Sequence, residues 1–249
     1  MIKKTIFEKY PILKTISQDK FPKHVCIIPD GNGRWAKKHN KFAVYGHAKG
    51  MQVLQKILKE VSEISEIKIV TLWAFSADNW KRSEGEINGL MKLLTKGISE
   101  GIMDIKARNS RFVHLGRKDR LPKSLLSVLE KAEEETKNNT GQIVAIAIDF
   151  GGEDQDIRIV QKALNLPSDI KVDQDLLWSL RDTQGLIKSS DLLIRTSGEM
   201  RTSDIGWING ASTEIFIIDK LFPDITTNDI IDAVVAFSKR DRRFGGRKK

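Results

Sequence analysis

The chain has 249 residues, 40% hydrophobic and 30% charged, enough to bury a sizeable core. Its 42 Lys and Arg exceed its 33 Asp and Glu by 9, which points to anionic partners: nucleic acid, a membrane surface or phosphorylated small molecules. The single cysteine, Cys26, excludes an intrachain disulfide framework and fits a reducing cytoplasm, and the first twenty residues hold no apolar run of signal-peptide or membrane-spanning length.

Past an N-terminal extension over residues 1–22, the apolar run His24–Pro29 predicts a strand. Met51, Leu54, Ile57, Leu58 and Val61 then recur at helical spacing, which predicts a helix over Gly46–Ile64. A second strand is expected over Ile67–Ser76. Ser83 and Glu86 read as a capping box that opens a long helix, Glu84–Ala107, whose apolar face includes Ile87, Leu90, Met91, Leu94, Ile98, Ile102 and Ile105. Arg111–Gly116 reads as a strand. Pro122 opens a helix that runs to Lys137 and stops at Asn138-Asn139-Thr140-Gly141. Ile143–Phe150 is the fourth strand. Glu153 and Asp154 beyond it are acids of the kind favoured at a helix N-terminus. Strands over Asp191–Thr196 and Ile215–Asp219, a helix over Thr226–Ser238 and a basic tail from Lys239 to Lys249 complete the chain. Strands alternating with helices predict an α/β fold, a mostly parallel central sheet of about six strands surrounded by helices. No linker-like stretch divides residues 1–249, so one domain is expected.

In such folds ligands bind beyond the carboxyl ends of the strands. Those ends are chemically rich here: Asp30 after the first strand, Ser76 to Arg82 after the second, Asp149 at the fourth, and Arg195 to Ser203 at the fifth. The first of them poses a question. In Asp30-Gly31-Asn32-Gly33, glycines that could bring backbone N–H groups to a phosphate sit directly behind a carboxylate. Gly31-x-Gly33-x-x-Ala36 matches the dinucleotide fingerprint only loosely, and the acid expected about twenty residues on is missing from Gly50-Met51-Gln52-Val53-Leu54-Gln55-Lys56. No GxxxxGK[ST] phosphate loop occurs either. A Mg²⁺ ion between Asp30 and phosphate oxygens would turn repulsion into attraction, since this ion takes one or two carboxylates plus substrate phosphates. Arg34, Arg82, Arg195 and Arg201 supply forks suited to further phosphate oxygens. Together these residues describe a site for two anionic substrates.

The blocks HVCIIPDGNGRWAKK, YGHAKG, WAFSADNWKRSEGE, DLLIRTSGEMRTS, TEIFIIDKLFPD and RDRRFGG resemble, in order, those of the cis-prenyltransferases, over roughly His24 to Gly246. The resemblance implies an enzyme that joins isopentenyl diphosphate to an allylic diphosphate, of farnesyl type, with a new Z double bond, to give a polyprenyl diphosphate. It implies a cytoplasmic homodimer whose apolar tunnel holds the growing chain, with peripheral membrane contact through the product and no nucleic acid partner. By position, Asp30 matches the aspartate that binds Mg²⁺, and Glu214 matches a second metal carboxylate. Gly31, Asn32, Gly33 and Arg34 match the loop that cradles the allylic diphosphate, with Trp35 and His47 as neighbours. Ser76, Ala77, Asp78, Asn79, Trp80 and Arg82 match a loop that closes over the site, and Asn79 resembles the residue assigned to proton removal. An amide is a poor base, so relay or orientation suits Asn79 better than storage of a proton. Glu86 matches an acid just beyond this loop. Arg195, Arg201, Thr202 and Ser203 match the isopentenyl diphosphate clamp, and Arg243 and Gly245 match a C-terminal motif that reaches the partner subunit.

Three departures from the family pattern stand out. Ala43 replaces an arginine, leaving Lys41 as the nearest substitute. Asp149-Phe150 replaces Asn-Tyr. The stretch from Ile205 to Gly210 replaces an apolar-aromatic one associated with the dimer contact. They leave open a specialised enzyme with a short-chain or irregular product. A non-catalytic partner subunit would be expected to lack the Asp30, Asn79, Arg195, Arg201 and Glu214 set that is intact here. The aspartate-rich DDxxD segments of the trans-type enzymes are absent.

Overall fold

Six strands carry the architecture: β1 (His24–Ile28), β2 (Ile69–Ser76), β3 (Arg111–Leu115), β4 (Ile143–Phe150), β5 (Leu192–Thr196) and β6 (Glu214–Ile218). They form one sheet in the order β3-β4-β2-β1-β5-β6 in a computed structural model that describes residues 4–243. The expected α/β class holds, and every expected strand lies within two residues of its observed bounds. Among the described residues eight α-helices accompany the strands: α1 (Ile6–Lys9), α2 (Asn32–Lys38), α3 (Ala43–Val61), α4 (Glu84–Ala107), α5 (Lys123–Thr136), α6 (Gly152–Ala163), α7 (Gln174–Leu180) and α8 (Thr227–Ser238). The chain falls into two compact units. One gathers the chain up to Val70, Ser190–Met200 and the chain from Gly210; the other gathers Thr71–Ser189 and Arg201–Asn209.

In the first unit β5 runs parallel to β1 and to β6, with Val25 opposite Leu192 and Leu192 opposite Glu214. All five residues of β1 and of β5 are buried, as strands covered on both faces require. Asp191 holds the entry to the strand pair: its Oδ2 accepts from the backbone N–H groups of Lys23 and His24 at 2.8 and 3.0 Å. Of the face its periodicity marks, helix α3 buries Leu54, Ile57 and Val61, while Met51 and Leu58 are half-buried. Its Gly46 meets α2 so closely that a Cβ would lie 1.9 Å from the carbonyl oxygen of Asn32, and one on Gly50 would lie 2.2 Å from Asn32 Oδ1. Two missing side chains, one turn apart, thus let α3 seat the start of α2 directly after β1.

In the second unit β3 is an edge strand, paired in parallel only with β4. Its outward N–H groups are nonetheless satisfied. Thr136 Oγ1 accepts from Phe112, Glu133 Oε1 from His114 and Asp182 Oδ2 from Gly116, at 2.9, 2.9 and 3.1 Å. Side chains of α5 and of the Asp182 turn therefore close an edge that would otherwise template pairing with another chain. Burial, partly offset by a hydrogen bond to Ile148, lowers the pKa of the His114 imidazole. The acids at the start of α6 behave as expected for a helix N-terminus. Asp154 also pairs with Arg117 and Arg158, and these bonds outweigh burial and lower its pKa.

The expected capping box at α4 does not form. Ser83 is the N-cap residue but makes no side-chain cap bond. Glu86 Oε1 instead accepts from Arg82 Nη1 at 2.7 Å. A charged donor four residues away competes better than a backbone amide.

Gly46→Ala should force Asn32 and the start of α2 to shift, at a cost of about 1–3 kcal/mol, the usual range for overpacking. Gly101→Ala, on α4 with nothing within 4 Å of the new Cβ, is the control and should be neutral or mildly stabilising. Thermal melts of the two variants decide; an unchanged Gly46→Ala midpoint would refute the close-contact reading.

Candidate functional site

The chain leaves β1 at Ile28 and turns sharply, with the Asp30 N–H donating to the Ile28 carbonyl at 2.9 Å. Gly31 follows at φ +101, a left-handed conformation that side chains rarely adopt, and a Cβ here would lie 2.1 Å from Ser197 Oγ. The Asp30 carbonyl accepts from Thr196 Oγ1, Ser197 Oγ and Phe222 N at 2.7, 2.9 and 3.0 Å. Backbone geometry and these bonds from the end of β5 and from the Leu221–Phe222 turn fix where the Asp30 side chain starts.

That side chain lies among cations. Asp30 Oδ2 accepts from Arg195 Nη2 at 3.0 Å, and Oδ1 accepts from the Gly31 N–H at 2.8 Å and faces Arg34 Nη2 at 3.4 Å. Arg195 is buried and Asp30 only half-buried, so the guanidinium rises from the sheet interior toward a solvent-facing carboxylate. Arg34 reaches from α2 and also pairs with Glu199 Oε1 at 2.8 Å. The structure thus brings together Asp30, Gly31, Arg34 and Arg195 from the expected set, and adds Thr196, Ser197 and Glu199. These three belong to the polar cluster the sequence places after the fifth strand, and their chain position gives no further hint of their contacts. Gly33 lies one residue into α2 with open space where a Cβ would be. Asn32 Nδ2 donates to the Pro29 carbonyl at 3.0 Å, so this side chain braces the loop from within. Trp35 Nε1 donates to Asp224 Oδ1 at 2.7 Å and its ring stacks on His39. His47 lies half-buried on α3.

A second cluster lies in the other unit. Ala77–Lys81 is a short 3₁₀ turn after β2, with Ser76 and Asn79 joined in a capping box in which Asn79 Oδ1 accepts from the Ser76 N–H at 3.1 Å. Ala77 and Asp78 form the first residues of the turn, and Asp78 pairs with Lys81 at its exposed surface. Trp80 Nε1 donates to Asp149 Oδ1 at 2.8 Å. Asp149 is fully buried at φ +54, and Arg120 grips it with two bonds, Nε to Oδ2 at 2.8 Å and Nη2 to Oδ1. Arg120 also faces the Trp80 ring, which meets Phe75 edge-on at 5.1 Å. The departure at Asp149 is therefore answered within the chain: an extra buried negative charge comes with Arg120 as its counter-ion. Arg201 and Ser203 lie exposed, and Thr202 half-buried, in the turn ahead of Ile205, with Ser203 at φ +52.

Glu214 does not join Asp30. It is the first residue of β6, opposite Leu192, whereas Asp30 lies beyond the last residues of β1 and β5. Five strand residues separate the two levels, about 16 Å. Glu214 instead accepts from Arg240 Nη1. Parallel pairing sends successive carboxyl ends to one rim, and Glu214 begins its strand at the other. Arg243 Nε lies 3.4 Å from Asp241, and Gly245 lies outside the described residues.

Among the described residues no group of three or more His, Cys, Asp or Glu side chains forms a metal cage. Asp30 offers one half-buried carboxylate, a donor set that suits Mg²⁺ retaining waters and taking substrate oxygens.

A parallel α/β sheet with an arginine-held carboxylate at a strand end is the frame on which the comparisons with known proteins fall. The family model described as undecaprenyl diphosphate synthase matches residues 28–245, and the chain belongs to that family of prenyl transferases. It is similar to the isoprenyl transferases of Streptococcus pneumoniae, 36% identical with 96% of this chain and 98% of the relative covered, and of Geobacillus kaustophilus, 38% identical with 98% and 97% covered. Among solved structures, lavandulyl diphosphate synthase from Lavandula x intermedia in complex with dimethylallyl diphosphate superposes with a TM-score of 0.86 at 29% identity, covering 91% of this chain and 99% of that one. A Campylobacter jejuni protein assigned as an undecaprenyl diphosphate synthase superposes with a TM-score of 0.74 at 26% identity, covering 90% and 98%.

Arg120→Ala should cost about 3 kcal/mol, because it leaves the Asp149 charge buried; the partial exposure of Arg120 holds the value to the low end for a broken buried pair. Asp149→Asn keeps an acceptor for Trp80 and should cost only about 1 kcal/mol. Urea denaturation of both variants checks the order, and a costlier Asp149→Asn would reverse the assignment.

Proposed function

We propose that the protein condenses isopentenyl diphosphate with an allylic diphosphate, of farnesyl type, to make a Z-polyprenyl diphosphate. The observation that carries this reading is the Asp30 carboxylate held between Arg34 and Arg195 beside the left-handed Gly31. Both arginines are engaged with carboxylates and both can pass to phosphate oxygens, whose charge and fork geometry suit them better. Asp30 would hold Mg²⁺, and the bound ion supplies Lewis-acid neutralisation of the diphosphate leaving group.

The roles proposed for the remaining residues are those the family resemblance implies. The Gly31–Arg34 loop presents N–H groups and a guanidinium to the allylic diphosphate as it leaves. Arg195, with Arg201, Thr202 and Ser203, serves the isopentenyl diphosphate. Asn79, fixed by its bond from the Ser76 N–H, orients the carbon-bound proton that must be lost rather than storing it. The apolar face of α4, with Leu90, Met91, Leu94 and Ile98 buried, is suited to line a tunnel for the growing chain. Each CH₂ removed from water contributes roughly 0.8 kcal/mol toward retaining it. The family resemblance adds a homodimer to this reading, and a lipid product favours an enzyme working at a membrane face. No helix among the described residues is long and apolar enough to cross a membrane. A short-chain or irregular product is the second reading, favoured by Ala43 in place of an arginine at the start of α3.

Asp30→Asn is the informative variant, because it keeps an acceptor for Arg195 while removing the charge. Turnover of labelled isopentenyl diphosphate should fall at least about 100-fold, the loss expected for an electrostatic stabiliser. Near wild-type turnover would remove Asp30 from the chemistry. Mass spectrometry of the wild-type product separates long-chain from short-chain synthesis, and absence of any prenyl product would end the proposal.

A further inference from the structure

The stretch from Gly31 to Lys59 contains seven Lys and Arg and no Asp or Glu. Arg34 is engaged with Asp30 and Glu199. The other six, Lys37, Lys38, Lys41, Lys49, Lys56 and Lys59, are all exposed, and among the described residues none of them forms an ion pair. Past its first turn, α3 exposes only Lys49, Gln52, Lys56 and Lys59. Their spacings of three and four residues align them with Tyr45 on one face, a stripe about 21 Å long. The first acids beyond the stripe are engaged by the N-terminal segment, although Lys56 still acts on Glu60 through space. Glu60 Oε1 accepts from Lys9 Nζ at 2.8 Å, and Glu63 Oε2 accepts from the Ile6 N–H at 2.7 Å.

The head of the stripe is apolar. Phe42, the N-cap residue of α3, is 82% exposed, Tyr45 is 56% exposed and Val44 is 43% exposed. Lys41 leans over the Tyr45 ring at 5.8 Å, and Lys37 and Lys38 end α2 just before this turn. Exposed aromatic and aliphatic side chains ringed by lysines match a lipid–water interface, where rings settle at headgroup depth and lysines meet anionic lipid.

We propose that the outer face of α3, with the Lys37–Tyr45 turn as its apolar tip, docks the protein on an anionic membrane surface. A diphosphate substrate does not account for the stripe, because it spans only a few ångströms and Lys49, Lys56 and Lys59 extend over about three turns of α3. A nucleic acid would use the lysines and stack a base on Phe42, but would leave Val44 without a partner. The proposal names the surface for the membrane contact suggested above. It rests on charge and exposure, so it stands apart from whether prenyl transfer occurs.

The test is flotation of the full chain, without substrate, with phosphatidylcholine vesicles that either contain or lack phosphatidylglycerol. The wild type should float with the anionic vesicles only, and high salt should weaken the association. Lys49→Gln/Lys56→Gln/Lys59→Gln should lower partitioning on the order of 100-fold, three lysines at about a fivefold effect each. Phe42→Ser should remove the part that survives high salt. Circular dichroism checks that the variants keep their helix content. Equal flotation with both vesicle types, no flotation of the wild type, or a triple variant that floats normally would each overturn the proposal. A triple variant that loses only oligonucleotide binding would assign the face to nucleic acid instead. A protein that floats as expected but makes no prenyl product would leave this surface standing and remove the proposed reaction.

Discussion

Arg195 sets the terms of the first unit's rim. Its guanidinium is buried at the end of β5, where an ionised group needs a close anion to offset desolvation, and Asp30 accepts from it. The Asp30 backbone is fixed in turn by Thr196, Ser197 and Phe222, so the carboxylate has little freedom to leave. A carboxylate beside a phosphate-type loop is no contradiction under these conditions. It is the resident anion of a cationic pocket, and the same cations suit an incoming diphosphate. Gly31 is the local condition for this arrangement, because only a residue without Cβ lets Ser197 and the loop approach as they do.

The second unit solves a related problem differently. Asp149 is buried in a left-handed conformation within the motif where the family pattern carries a neutral amide. The chain compensates with Arg120 and uses the remaining acceptor capacity to hold Trp80. Trp80 belongs to the turn that carries Asn79, so a charge pair at the carboxyl end of β4 restrains the turn after β2. In structural terms the Asp149 departure is a substitution with its counter-ion supplied.

Much of this was legible in the sequence, and the failures have physical causes. Strand positions were readable because buried parallel strands are continuous apolar runs bounded by polar turns, as in Ile143–Phe150, whose limits agree to the residue. Helix α4 was equally clear from its period, yet its cap was misjudged because Arg82 outcompetes the backbone for Glu86. No helical period marks α2: it has seven residues and opens on Gly31-Asn32-Gly33, so its stability comes from packing on Gly46 and Gly50 of α3 rather than from propensity. Asp30, Arg34 and Arg195 were recognisable as a charge constellation. The contacts of Thr196, Ser197 and Glu199 depend on register between strands far apart in the chain. The same register separates Glu214 from Asp30, which motif order alone could not reveal.

The most direct measurement is equilibrium binding of an unreactive allylic thiodiphosphate across a Mg²⁺ titration, for the wild type and for Asp30→Glu. If Asp30 joins the diphosphate through the ion, wild-type affinity should rise at least about tenfold with Mg²⁺, the scale of one charge-assisted contact. The longer side chain, displaced from Arg195, should blunt that rise. Affinity that is indifferent to Mg²⁺ in the wild type, or equal gains in both proteins, would contradict the role assigned to Asp30.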